Sequence, residues 1–369
     1  MSAASRLTGS WPLGCAAGAL YALNPTAWRY CNELLTEIPL AFLLTLLAGM
    51  MLRAWTDRRR RWLAWSGALA GLTLLVKPNL VLLPVLAAAA LAWPRPGLPW
   101  RTLLRRAVIV LALAGLVILP WAARNRAVFG RWFLSHAFET NLARVSAVAT
   151  LVRAQGETVA PWSPRWEEIY SGLLLEARAR YGSGFDPVPA SAATADRTQQ
   201  QLASVAGRII RAHPVDFVLS HLGGFLRSWV PQEHRFWYEV ISGRSWDSLG
   251  SAEGVLGQAL RAARSEGWGA AFSLVWQARV AALPPLASAL WAGWLLAYAV
   301  SAGLIARGIW QLRSRPAGLF FCLAVILYTT FLPGPISYVR FRVPVAPLLV
   351  LLTAAGLRLP AKKLFLPRR

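Results

Sequence analysis

The sequence predicts an all-α polytopic membrane protein of about eight membrane segments, with one long extracytoplasmic and mainly helical region. Three observations carry that expectation. Hydrophobic residues make up 56% of the 369 and charged residues only 15%, with a mean hydropathy of +0.44, too apolar for an ordinary soluble domain of this length. The apolar residues gather into runs near the ~20 that a helical span needs. The basic residues lie between those runs in short clusters, the pattern that sets orientation in a bilayer. The net charge of +23 therefore reads as topology, and no nucleic-acid partner is expected.

In order, Leu7–Leu23 is the first expected span and Leu34–Leu52 the second. The arginine run within residues 53–61 follows, and by the positive-inside rule that loop is cytoplasmic. Trp62–Trp93 is apolar except for Lys77-Pro78-Asn79, and both flanks are arginine-rich, so it must enter and return as a hairpin tipped at Lys77. Each arm, at about 15 residues, rises only ~22 Å against ~30 Å of hydrocarbon. A lysine held at that depth is costly, which makes it a functional candidate rather than a mere tip residue. Leu103–Trp121 runs outward and ends near Arg124-Asn125.

Residues 124–283 lack a long apolar run and are expected outside the membrane. There Trp166–Tyr181 and Asp196–Ala212 read as amphipathic helices. After Pro214, the residues Val215, Val218, Leu219, Leu222, Phe225, Leu226 and Trp229 recur at helical spacing with His221 and Arg227 opposite. That helix is expected to lie on the outer membrane surface. Leu286–Ile305, Leu319–Leu332 and Val343–Leu357 complete the spans. The predicted organisation is thus 1–123 as a membrane region of about five segments, 124–283 extracytoplasmic, and 284–369 as three spans with a basic cytoplasmic tail.

Glu33 and Glu37 precede the second span in the stretch NELLTEIPLAF. On one helix, four residues apart, they would share a face. Thr36 is a candidate N-cap, and capping alone is the competing account of Glu37. Lys77, Arg124, Arg340 and Arg342 are expected at the same outer level. Arg340 and Arg342 stand outside against the charge rule, whereas Arg124 serves equally as a boundary marker. Cys15, Cys31 and Cys322 give no paired spacing and read as small buried residues. The four histidines show no metal spacing, and Glu233-His234 reads as a solvated loop.

The segments TEIPLAF, GLTLLVKP, LPWAARN, HPVDFVLS and YVRFRVPVAPL together resemble the GT-C glycosyltransferases, in particular the protein mannosyltransferase and lipid A aminoarabinose transferase group. The resemblance implies transfer of a sugar from a polyprenyl-phosphate donor to a lipid, glycan or protein acceptor on the outer side of a bacterial inner (plasma) membrane. In it Glu37 matches the family's second acidic position; such a reaction needs a carboxylate base and cations on the departing phosphate, for which Glu37 and Glu33 are the catalytic candidates and Lys77, Arg124, Arg340 and Arg342 the donor-phosphate candidates. It calls for no fixed cofactor and leaves a divalent metal open. The family's principal Asp lies in a first outer loop, and no outer Asp precedes Glu37 here. The expectation is therefore a chain that lacks the N-terminal span and loop, truncated or inactive as given. The alternative is a non-catalytic membrane protein or a transporter or flippase of lipid-linked sugars. Against a transporter, one long outer region and no duplication are evident.

Overall fold

The computed structural model describes residues 10–31, 35–57, 59–94, 97–189, 191–231, 233–245, 252–277, 281 and 283–357. Among them every regular element is a helix, and the expected all-α polytopic membrane fold is the one observed. Glu37–Thr56, Trp100–Phe129, Pro285–Leu312 and Val339–Leu357 are long and apolar enough to cross a bilayer. Pro78–Leu91 and Pro316–Phe331 are apolar but shorter, as are Trp11–Ala22 and Arg60–Val76.

The Glu37–Thr56 helix is the central post. Leu40, Leu44, Leu47 and Met51 fall on one stripe at alternating four- and three-residue steps and are fully buried against Phe321, Val325, Leu348 and Leu352. Beside it the predicted hairpin forms: Arg60–Val76 rises to Lys77, turns through Pro78–Leu80 and returns as Leu83–Leu91. Gly67 and Gly71, one turn apart, let that first arm touch the backbone of Trp100–Phe129. A Cβ would lie 2.6 Å from the Val110 carbonyl at Gly67 and 2.8 Å from the Ala114 carbonyl at Gly71, the close approach that small residues allow between membrane helices. Gly308 and Gly356 do the same for Pro285–Leu312 against the last helix.

Several boundaries differ from expectation. The first span is not a full one among the described residues: the helix is Trp11–Ala22, 12 residues, about 18 Å. It stops before Asn24, whose Oδ1 caps the next short helix by accepting from the Thr26 amide at 2.9 Å. Trp100–Phe129 continues through Pro120 and ends at Gly130, in the left-handed conformation at φ +82°. The helix Ala252–Ser265 stands where no element was expected. Cys31 is exposed, not buried; all three cysteines are free.

The central region builds its own core. Val148, Trp166, Leu173, Ala177, Val205 and Ala206 are buried together, joining Pro164–Tyr181 to Ala192–Ala212, the two amphipathic helices expected there. Pro214–Trp229 presents Val215, Val218, Leu222 and Leu226 outward and unburied, while His221, Gly224 and Ser228 are buried on its other side. That buried side sits on the turn Gly334–Ile336. A Cβ on Gly224 would overlap the Gly334 carbonyl, and Arg227 donates to the Pro335 carbonyl. The turn leads directly into Arg340.

Candidate functional site

Glu37 is the first residue of its helix, and its side chain is completely buried. Its Oε1 accepts from Arg340 Nε at 2.8 Å and lies 3.4 Å from Lys77 Nζ. These partners are 303 and 40 residues distant in sequence. Each is positioned by a separate device. Arg340 lies in the short helix Val339–Val345 that opens the last span. Lys77 is the cap of the hairpin's first arm, and Tyr328 clamps the turn by donating to the Asn79 carbonyl at 2.8 Å and facing the Leu82 amide at 3.4 Å. Lys77 Nζ and the Arg340 guanidinium both stand 5.7 Å from the Phe341 ring, within cation–π range.

Thr36 precedes the helix but makes no side-chain cap. Its hydroxyl instead accepts from Lys77 Nζ at 3.2 Å, so the expected N-cap is a lysine ligand. The helix begins at Glu37, with Leu35 and Thr36 outside it. Glu33 itself lies outside the described residues. Glu37 Oε2 is buried and takes no hydrogen bond among the described residues.

The two neighbouring arginines part company. Arg342 Nη2 donates to Glu233 Oε1 at 3.1 Å and to Tyr298 OH at 2.8 Å, and Nη1 reaches the Trp229 carbonyl at 3.3 Å. Glu233 was expected to be solvated; it is 2% exposed and opens the helix Glu233–Ser242. Thr26 and Tyr298 also donate to its Oε1. The available signal was Arg342 itself, since an outer arginine at the edge of a span calls for a carboxylate that sequence order cannot name. Arg124 is exposed, bonds Asn125 Oδ1 at 3.0 Å and stacks on Trp121. It is not brought to Glu37. Asn125, buried, holds the carbonyls of Phe133 and Leu134.

A cavity of about 620 Å³ lies at the far end of the Glu37–Thr56 helix, lined by Leu52, Trp55, Trp93, Phe321 and Leu352, with Arg315 the one charged lining residue among those described. Among the described residues its lining holds no carboxylate, and it is roughly 22 Å along the helix from Glu37. Among the described residues no cluster of three or more His, Cys, Asp or Glu could hold a metal ion.

The paired arrangement of one buried acid and two cations, at the edge of a membrane bundle, coincides with a family match. Residues 3–123 match the dolichyl-phosphate-mannose-protein mannosyltransferase family. The match supports a membrane glycosyltransferase of the GT-C type. It covers about a third of the chain and includes Glu37 and Lys77, whereas Arg340 and Arg342 lie beyond it. No curated protein and no solved structure matches the chain.

Proposed function

We propose that the chain transfers a sugar from a polyprenyl-phosphate donor to a lipid, glycan or protein acceptor on the outer side of the membrane. The observation that carries this reading is the convergence of Lys77 and Arg340 on Glu37 Oε1 while Oε2 stays unpartnered. In the proposed reaction an acceptor oxygen bonds to the sugar's anomeric carbon, the bond to the phosphate oxygen breaks, and its electron pair leaves with the phosphate. Lys77 and Arg340, about a quarter exposed each, hold the departing charge. Glu37 anchors both cations through Oε1 and takes the acceptor's proton on Oε2. Access to that oxygen requires a cation to swing from the carboxylate to the phosphate. Glu33, four residues earlier, is the other acid in this reading.

The outer placement rests on the charge pattern together with the ends the fold gathers. Trp55 donates to the Ala90 carbonyl at 3.3 Å and packs on Gly318, which brings together three helix ends that adjoin the loops expected at 53–61, 94–106 and 307–316. Those are the arginine-rich loops that stay inside, with 124–283 on the other side.

The test is donor binding. In phospholipid nanodiscs the chain should bind polyprenyl phosphate and not the uncharged polyprenol. Lys77→Met and Arg340→Met should each weaken the phosphate by about tenfold or more. Equal binding of phosphate and polyprenol would overturn the reading.

A further inference from the structure

The large cavity at the end of the bundle away from Glu37 has no role in the chemistry proposed above. Its volume of about 620 Å³ is room for about twenty groups at the ~30 Å³ share of one water. It follows the central helix back from Thr56 to Ala48, about 12 Å at 1.5 Å per residue. Leu52, Trp55, Trp93, Leu319 and Cys322 form half-buried walls, and Phe321 and Leu352 close the floor. Thr56, Ser314 and Arg315, all exposed, bring the polar groups, and each stands at the end of a helix. The cavity is thus apolar inside and polar at its mouth.

That mouth is cationic. The stretches 53–61, 94–106 and 307–316 carry twelve arginines and one acid, Asp57. The acid is already engaged: Trp62 Nε1 donates to it at 3.0 Å and Arg59 lies 3.5 Å away. Arg313 stands over the Trp310 ring at 3.7 Å. Arg315 lines the cavity itself, where no carboxylate among the described residues joins it.

These features narrow the occupant. A small soluble anion would leave the apolar walls unfilled, and an uncharged hydrocarbon would leave Arg315 without a counter-charge. A molecule with one long apolar chain and an anionic head meets both demands. The bilayer supplies that class as its own anionic phospholipid, whose second chain stays in the surrounding membrane.

We propose that this cavity binds an anionic phospholipid, with one acyl chain between Glu37–Thr56 and Pro316–Phe331 and the phosphate at Arg315. The lipid would tie together distant parts of the fold. The central helix begins at Glu37 and ends at the cavity; the last helix lines the cavity through Leu351 and Leu352 and follows directly on the short helix that holds Arg340. One bound chain therefore braces both helices whose opposite ends carry the Glu37–Arg340 pair. The site does not rest on the transfer reaction proposed above.

The probes are phosphatidylglycerol and phosphatidylcholine, each with a photoreactive diazirine in one acyl chain, added to the full chain in phosphatidylcholine nanodiscs. Cross-linked peptides are mapped by mass spectrometry. The phosphatidylglycerol probe should label residues 48–56 and 312–322 about fivefold more than the phosphatidylcholine probe, the scale of one basic residue at an anionic lipid surface. Arg315→Gln should bring the two probes level there. Cys322→Phe, which fills the cavity and leaves Arg315 in place, should remove the labelling of these segments while lipid labelling elsewhere persists. Neither change should alter the polyprenyl-phosphate titration.

Equal labelling by the two probes in the unaltered chain overturns the proposal, because the walls are then wetted by bulk lipid alone. A preference that survives Arg315→Gln, or labelling that survives Cys322→Phe, overturns it as well. So does displacement of the phosphatidylglycerol probe by polyprenyl phosphate, which would give the cavity to the carrier, or by inorganic phosphate, which would leave a simple anion site. Should Arg315→Gln melt early, the two-probe comparison in the unaltered chain and the Cys322→Phe variant decide between these outcomes.

Discussion

Arg340 Nε lies 2.8 Å from Glu37 Oε1 although 303 residues separate the two, and Lys77 closes on the same oxygen at 3.4 Å. One carboxylate thus fastens the last span and the hairpin tip to the start of the central helix. Removing it leaves two cations crowded in a partly desolvated site. Breaking a buried pair from one side typically costs ~3–5 kcal/mol. With Lys77 and Arg340 each about a quarter exposed, the lower part of that range applies here.

Glu37→Gln should therefore destabilise the chain and, in an active preparation, lower sugar transfer by about 10²-fold, the scale of a lost acid–base partner. Thermal unfolding in nanodiscs and transfer of labelled sugar are the two readouts. Wild-type transfer in the variant would reduce Glu37 to a structural anchor.

Lys77→Met keeps the length of the side chain and removes its charge. The expected outcome is a loss of about tenfold or more in polyprenyl-phosphate affinity. Unfolding should be affected less than by Glu37→Gln, because Arg340 still pairs with Glu37. Titration with the lipid, set beside the melting curve, separates the two effects.

Gly224→Ala tests how the outer helix governs the site. The added methyl collides with the Gly334 carbonyl and must push the turn that precedes Arg340 off its seat. Overpacking of this kind costs ~1–3 kcal/mol. Donor affinity should fall along with stability, although Gly224 touches none of the site residues. An unchanged lipid titration would show that the turn does not set Arg340.

His221 gives the fold a sign-defined response to acid. Burial pushes its imidazole below the ordinary value of 6.5, with the Phe217 carbonyl at 3.0 Å opposing the shift. The unfolded chain then binds the proton more readily, so stability rises with pH. Stability should be full above about pH 6.5 and be lost as the pH falls from there toward the folded value. His221→Gln should flatten that part of the melting-temperature profile measured between about pH 5 and 8. A slope retained in the variant would assign it to other groups.

Reporter fusions at Asp57 and Gly184 should report opposite compartments, inside and outside respectively. The same compartment for both would reverse the outer assignment of residues 124–283 and with it the proposed side of the reaction.

The sequence by itself determined the helical, membrane-spanning class, the hairpin at Lys77, and the helices of the central region, because hydropathy and helical periodicity are local properties. It also singled out Glu33, Glu37, Lys77, Arg124, Arg340 and Arg342, since charge at the end of an apolar run is costly wherever the rest of the chain goes, without separating those that meet at Glu37 from those that do not. What it could not determine is who pairs with whom. Arg340 and Arg342 differ by two positions, yet the first turns to Glu37 and the second to Glu233. Glu233 lies in a stretch that reads as a solvated loop, and only the packing of Glu233–Ser242 against Pro25–Cys31 and Pro285–Leu312 buries it. An ion pair between distant residues leaves no periodic trace in sequence; its energy comes from desolvation, and burial exists only once the helices have packed.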